Sequence, residues 1–129
     1  MITASQILAH LLGDYLLQSD WQANEKTKRL WIALSHALLY AVPFLTFRPS
    51  PFALVVIVVS HALIDRFRLT RYLIYAKNLL APAAYRYPWA DCQGTGYHKD
   101  RPAWLAVWLM IIADNTLHIL VNGLALALL

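Results

Sequence analysis

Four apolar stretches, at residues 2–18, 30–47, 52–67 and 103–129, dominate the sequence. A helix needs about 20 apolar residues to cross a hydrocarbon core of ~30 Å, so three of the stretches are short for a span. They still favour spans over soluble core helices, because runs such as VVIVVS and LAVWLMII provide no polar outer face. The chain is 60% hydrophobic and 14% charged, which is too apolar for a soluble domain of this size. We therefore predict an all-α integral membrane bundle of about four transmembrane helices.

An aromatic and basic segment separates the third predicted span from the fourth. Its first part is expected to form a short interfacial amphipathic helix that ends by Pro82. The remainder is expected to be a loop, so that residues 68–102 form one cytoplasmic segment. Because the chain has only 129 residues, we expect a single domain, 1–129.

The basic residues predict an orientation in the membrane. Nine of the eleven lie in the first and third loops, Arg66 lies at the end of the third span beside the third loop, and only Arg48 lies in the second loop. Lysine and arginine in short loops are retained on the cytoplasmic side, so both termini are predicted to face away from the cytoplasm of a bacterial inner membrane. Since topology explains these charges, a nucleic-acid partner is not expected.

Three predicted spans carry a histidine and an aspartate four residues apart. The pairs are His10 with Asp14, His61 with Asp65, and Asp114 with His118, and the second span adds His36. At 3.6 residues per turn, each pair lies on one face of its helix. In the predicted orientation, the aspartate of every pair is nearer the cytoplasm. Gln18 and Asn122 extend two of these faces and are expected to satisfy neighbouring polar groups rather than bind metal.

These buried charges predict a metal site. An aspartate near the centre of a transmembrane helix costs ~2.5–3.5 kcal/mol, and a divalent cation bound to carboxylates and imidazoles would offset that cost. Zinc is favoured, with manganese or iron as alternatives for an oxygen-rich set. The predicted metal ligands are His10, Asp14, His61, Asp65, Asp114 and His118. The predicted catalytic residues are Asp14 and Asp114, one of them as general base, and His36 as an acid or an outer partner of the ligands.

Other interpretations stay open at this point. Histidine–aspartate hydrogen bonds can stabilise a membrane bundle without metal, and aligned pairs can also relay protons. Cys92 and His98 form at best a weak metal motif. The stretch QGTGYHKDRP has too few glycines for a phosphate cradle, although a basic loop there could receive an anionic head group.

Three segments carry a resemblance to a known family. AHLLGDYLLQSDW at 9–21, SHALID at 60–65 and RPAWLAVWLMIIADNTLH at 101–118 resemble small bacterial and phage membrane proteins catalogued as domain of unknown function 3307. The resemblance covers nearly the whole chain and supports the fold and the polar positions without implying a reaction. A looser similarity, in the repeated His-x-x-x-Asp pairs, is to membrane-bound metal-dependent hydrolases, and likeness of fold does not carry function.

The function we expect is metal-dependent hydrolysis of a lipid-linked or membrane-associated ester or phosphoester. The expected partner is a membrane lipid or lipid-linked substrate, and self-association of the chain is left open. The alternative is a membrane protein without enzymatic activity, such as an ion or proton conduit or a factor that modifies the envelope, using the same residues. A third interpretation is a structural assembly partner, which would tolerate loss of the pairs.

Overall fold

The computed structural model describes residues 2–129, which are 75% helical and contain no strand. This confirms the all-α prediction. The helices are α1 (Ala4–Leu11), α2 (Asp20–Glu25), α3 (Leu30–Ala41), α4 (Pro51–Phe67), α5 (Leu69–Asn78) and α6 (Ala103–Leu128). A π-helical turn at Leu12–Leu16 continues α1, and a 3-10 turn at Val42–Phe47 continues α3. Two further 3-10 turns, Ala83–Tyr85 and Trp89–Asp91, lie between α5 and α6.

Two of the four predicted spans coincide with helices that are long and apolar enough to cross a membrane. They are Leu30–Phe47 and Ala103–Leu128, judged by length and composition. The third predicted span forms α4, a regular helix of 17 residues. The first is divided between the eight residues of α1 and the π turn. Insertion of all four spans therefore stays a prediction.

The chain forms two compact units. The first contains the residues up to Phe67 together with His118–Leu129, and the second contains Arg68–Leu117.

In the first unit, α3 packs along α4 through small side chains. Ala33 and Ala37 of α3 and Ala62 of α4 are fully buried in one cluster. Alanines at a helix crossing allow the two backbones to approach closely. A second cluster includes Tyr40 and Phe44, so the buried face of this helical segment runs over three turns.

The π turn approaches α3 at a glycine. A Cβ atom added at Gly13 would lie 2.6 Å from the carbonyl oxygen of Tyr40 and 2.7 Å from its Cδ2. No side chain fits in that space, so glycine is needed for the contact. The contact sets the next residue, Asp14, against α3.

The short helix α2 begins at a capping box. Ser19 accepts a hydrogen bond from the backbone of Gln22, and the Gln22 side chain accepts one from the backbone of Ser19. Such reciprocal bonds satisfy two amide groups that a helix start leaves without partners. The helix ends with Lys26 as its C-cap.

In the second unit, α5 confirms the short helix predicted after the third span, and it ends before Pro82 as expected. Arg68 precedes it in the left-handed region, with φ of 50°. Its guanidinium donates a 2.8 Å hydrogen bond to the carbonyl of Gly94, and Asn78 donates to the carbonyl of Gly96. These bonds fix the segment that follows α5. The location of α5 at a membrane interface stays a prediction.

Candidate metal centre

Four side chains of the first unit bring one ligand atom each to a common point. Asp14 comes from the π turn, His36 from α3, and His61 and Asp65 from consecutive turns of α4. The four atoms lie within 4.8 Å of one another, and all four residues are buried. We call these four residues the His/Asp cluster. It contains two imidazole nitrogens and two carboxylate oxygens, a donor set that suits a divalent transition metal.

The distances within the His/Asp cluster fit a small coordination sphere. The Nε2 atoms of His36 and His61 are 3.0 Å apart. Asp14 Oδ1 lies 3.2 Å from the first nitrogen and 3.7 Å from the second. Asp65 Oδ2 lies 3.5 Å and 3.2 Å from the same two atoms. Ligands ~2.0–2.1 Å from a tetrahedral zinc ion are separated by about 3.3 Å, so these spacings agree with such a site.

The facing imidazoles of His36 and His61 restrict how the cluster can be satisfied. Two neutral rings whose Nε2 atoms meet must either present one donor and one acceptor or share a cation. Their Nδ1 atoms are buried without a hydrogen-bond partner among residues 2–129. Ring packing therefore sets the orientation of both imidazoles. The ring of Tyr40 stacks on His61, with centroids 3.7 Å apart and planes 16° from parallel.

Lys26 places its ammonium beside the His/Asp cluster. Its Nζ lies 2.8 Å from Asp65 Oδ2, 3.6 Å from Asp14 Oδ1 and 3.4 Å from His36 Nε2. One ammonium therefore contacts both buried carboxylates, and buried charge without full compensation is costly.

A polar layer lies behind the cluster, centred on Tyr40. Asn122 donates a hydrogen bond to the Tyr40 hydroxyl, and that hydroxyl lies 2.8 Å from His10 Nδ1. Since the tyrosine oxygen accepts from the amide, its own proton is available to His10. Both His10 and Tyr40 are fully buried.

The last predicted pair is placed on α6. His118 turns its Nε2 to within 3.5 Å of Asp65 Oδ1, the carboxylate oxygen that faces away from His36. Asp65 therefore directs one carboxylate oxygen toward the two histidines of the cluster and the other toward His118. Asp114, one turn earlier and in the second unit, accepts a hydrogen bond from Thr70 of α5.

The structure keeps part of the predicted grouping and changes the rest. His61 and Asp65 meet as their spacing predicts, and Asp14 joins them. His10 is not one of the four converging residues: it lies in the last turn of α1, whereas Asp14 lies in the π turn that follows. His36, expected to be an acid or an outer partner, instead contributes an atom to the cluster itself.

Two residues near the cluster were missed by the sequence analysis. Tyr40 lies four residues after His36, so the spacing that identified the other pairs was a usable signal. Lys26 was interpreted only as a topological charge, and nothing in its spacing indicates its contacts. Asn122 has the polar partner that was expected, whereas Gln18 Oε1 is buried without a hydrogen-bond partner among residues 2–129.

Comparison with known proteins identifies a family and no characterised relative. No curated protein and no solved structure matches the chain. One family matches residues 2–121, which include the whole His/Asp cluster, Lys26 and Tyr40. The chain therefore belongs to the family described as "Protein of unknown function (DUF3307)".

Proposed function

We propose that this protein binds a divalent metal ion within the membrane, through Asp14, His36, His61 and Asp65. The observation that carries the proposal is the convergence of four buried donor atoms from three separate segments of the chain. Hydrogen bonding alone would be satisfied by separate pairs. A donor set assembled at one point is what a metal ion requires.

Charge balance supports the same proposal. One ammonium, that of Lys26, faces two carboxylates in the cluster, and a divalent ion in its place would neutralise both. The ammonium therefore holds the carboxylates in place in the metal-free protein and moves aside on binding. Zinc is the metal we expect, because two nitrogens and two oxygens at tetrahedral spacings suit it.

Exposed apolar side chains support a location in the lipid bilayer. Each predicted span carries at least one large hydrophobic side chain that is mostly exposed: Leu16 at 75%, Leu38 at 62%, Phe52 at 62% and Trp104 at 68%. In a bilayer, lipid tails would cover these exposed apolar side chains. We propose the bacterial inner membrane, with both termini away from the cytoplasm.

We further propose that the site hydrolyses an ester or phosphoester of a lipid-linked or membrane-associated substrate. A bound divalent ion would supply an activated water as the nucleophile. We propose Asp14, which lies in the π turn, as the general base of this reaction. The layer of Tyr40 and His10 excludes bulk water behind the cluster and provides an exchangeable proton.

A second candidate function is proton or ion conduction. The observation that favours it is the continuation of polar contacts from Asp65 through His118, and separately from His10 through Tyr40 to Asn122. Tyr40 lies in a part of the second predicted span that otherwise reads as apolar. Proton flux into vesicles containing the purified protein distinguishes this candidate, because a hydrolase would carry none.

Elemental analysis of the purified, unchelated protein tests metal binding directly. We expect about one equivalent of zinc, and a large loss of it in Asp65→Asn, which preserves side-chain volume and removes the ligand charge. The matched control is Asp100→Asn, an exposed aspartate in the second unit. Metal below about a tenth of an equivalent in the wild-type protein, before and after incubation with zinc, would end the proposal.

A further inference from the structure

The second unit contains a cavity that the His/Asp cluster does not use. It has a volume of about 240 Å³ and lies between the end of α5 and the segment that leads to α6. Four tyrosines, Tyr75, Tyr85, Tyr87 and Tyr97, provide much of its wall. Pockets for drug-sized ligands measure ~300–1,000 Å³, so this one suits a smaller group.

The charge of the cavity is positive on one side. Arg86, Arg101 and His98 line it, and none of the described aspartates or glutamates does. Asp100 lies beside His98, with Oδ2 3.5 Å from His98 Nδ1, and it forms no ion pair with either arginine. The guanidinium of Arg101 makes no hydrogen bond or ion pair with the rest of residues 2–129.

Asp91, close to the cavity in sequence, already forms an ion pair with Lys99. Lys99 Nζ lies 2.7 Å from Asp91 Oδ1, and the backbone amide of Lys99 donates to the Asp91 carbonyl. The hydrogen bond from Lys99 lowers the pKa of Asp91, which keeps that carboxylate ionised and bound to its lysine. Asp91 therefore does not neutralise the arginines of the cavity.

The wall of the cavity is held by hydrogen bonds in the absence of a ligand. Arg86 Nε donates to the carbonyl of Ala81 at 2.7 Å, which fixes the arginine stem and leaves its two terminal nitrogens for another acceptor. Tyr75 donates to the carbonyl of Tyr87 at 3.2 Å. Gly96 adopts a φ of 86°, which L side chains rarely allow. A site built this way loses little conformational entropy on binding.

We infer that this cavity binds the phosphate group of a small phosphate ester, of about the size of phosphoglycerol. Two guanidinium groups and an imidazole provide more donors and more charge than one carboxylate can use, whereas a phosphate has several acceptor oxygens. The tyrosine rings then contact the short organic substituent. Both a free phosphate ester and the head group of an anionic phospholipid present this chemistry.

The test compares these two sources on the detergent-purified full chain. Calorimetric titration with glycerol 3-phosphate measures the soluble arm, and sedimentation with phosphatidylglycerol vesicles measures the lipid arm. We expect saturable binding in at least one arm, with a Kd below about 1 mM. The soluble arm alone identifies a free ester, and the lipid arm alone identifies a head group. Absence of saturation in both arms overturns the inference.

Variants separate the cavity from general electrostatic attraction. Arg101→Gln and Arg86→Gln should each weaken binding by about tenfold or more, because each removes a charged hydrogen-bond donor. Arg29→Gln, an exposed arginine of the first unit, is the matched control and should change binding less than twofold. If Arg101→Gln fails to fold, Arg101→Lys is the second variant. It keeps the charge and should still weaken binding, because an ammonium cannot form the two parallel hydrogen bonds that a guanidinium forms with a phosphate.

Vesicles that carry oleate at the same charge density provide the last control. Binding to them should be much weaker than to phosphatidylglycerol. Equal binding to both kinds of vesicle, or equal losses in Arg101→Gln and Arg29→Gln, would overturn a phosphate site.

Discussion

The imidazoles of His36 and His61 meet through their Nε2 atoms at 3.0 Å, across the interface between α3 and α4. A pair of rings in this arrangement shares either one proton or one metal ion. The two possibilities give different responses to substitution.

If the rings share a metal ion, His36→Ala and His61→Ala should each remove most of the bound zinc. The double variant should then lose no more than either single variant, because the ion has already gone. In a hydrogen-bonded bundle without metal, each change would weaken the protein by ~0.6–1.7 kcal/mol and the effects would be closer to additive. Metal content and thermal stability in detergent are the measurements. His98→Gln, outside the cluster, is the control and should leave both unchanged.

Replacement of Lys26 by methionine should make the protein depend on metal for stability. The substitution removes the ammonium from two buried carboxylates, and breaking a buried ion pair costs about 3–5 kcal/mol. Zinc should restore the loss by neutralising the same carboxylates. Lys28→Met, in an exposed pair with Glu25, should change stability by less than about 1 kcal/mol. Equal effects of the two substitutions would contradict the assigned position of Lys26.

Two substitutions of Tyr40 distinguish the effect of its ring packing from the effect of its hydrogen bonds. Tyr40→Phe keeps the ring stacked on His61 and removes the hydroxyl, so zinc affinity should stay within a few-fold while stability falls by about 1–3 kcal/mol. Tyr40→Leu also removes the stacked ring, and zinc affinity should fall by ~10–100-fold. Competition with a fluorescent chelator measures both affinities. Equal losses in Tyr40→Phe and Tyr40→Leu would assign the orientation to the hydroxyl instead.

Gly13→Ala should displace the π turn from α3. The added methyl group would meet backbone as well as side-chain atoms of Tyr40, and overpacking of this kind costs ~1–3 kcal/mol. Because Asp14 is the next residue, zinc affinity should fall as well. Gly94→Ala is the control, because no heavy atom lies within 4 Å of its added methyl group. That variant should leave zinc affinity and stability nearly unchanged.

Cysteine labelling tests the proposed orientation. In intact cells, a cysteine at Lys28 should be protected from an impermeant reagent, and one at Arg48 should react. The background is Cys92→Ala, chosen because Cys92 is buried and a small apolar residue fits its site. Labelling after permeabilisation checks that both positions are reactive. The reverse pattern would place the termini in the cytoplasm.

The sequence predicts best where the backbone is regular. His61 and Asp65 meet because α4 is an uninterrupted helix, so a spacing of four residues places them on one face. The same spacing did not bring His10 into the His/Asp cluster with Asp14, whose backbone is a π turn and not a regular helix. Periodicity alone does not indicate where a helix widens. Gly13 lies in this turn and makes its closest contact, but a single glycine was not a sufficient signal.

Contacts between segments distant in sequence were not predictable from spacing. Lys26 reaches Asp65 across 39 positions, through a short helix whose direction depends on the capping box at Ser19. Hydropathy identified four apolar stretches correctly as helical. It could not predict where α1 would end, because a short helix followed by a π turn has the same average hydropathy as one longer span.

The divided carboxylate of Asp65 makes the C-terminal helix part of the coordination equilibrium. One oxygen faces His36 and His61, and the other faces His118. A ligand that binds the first oxygen changes the free energy of the contact between the second oxygen and His118. Thermodynamic linkage requires that a change in this contact alter the binding free energy of the ligand by the same amount. A lipid or a second protein that moved residues 118–129 would therefore act as an effector of the proposed metal site, without touching any of the four proposed ligands.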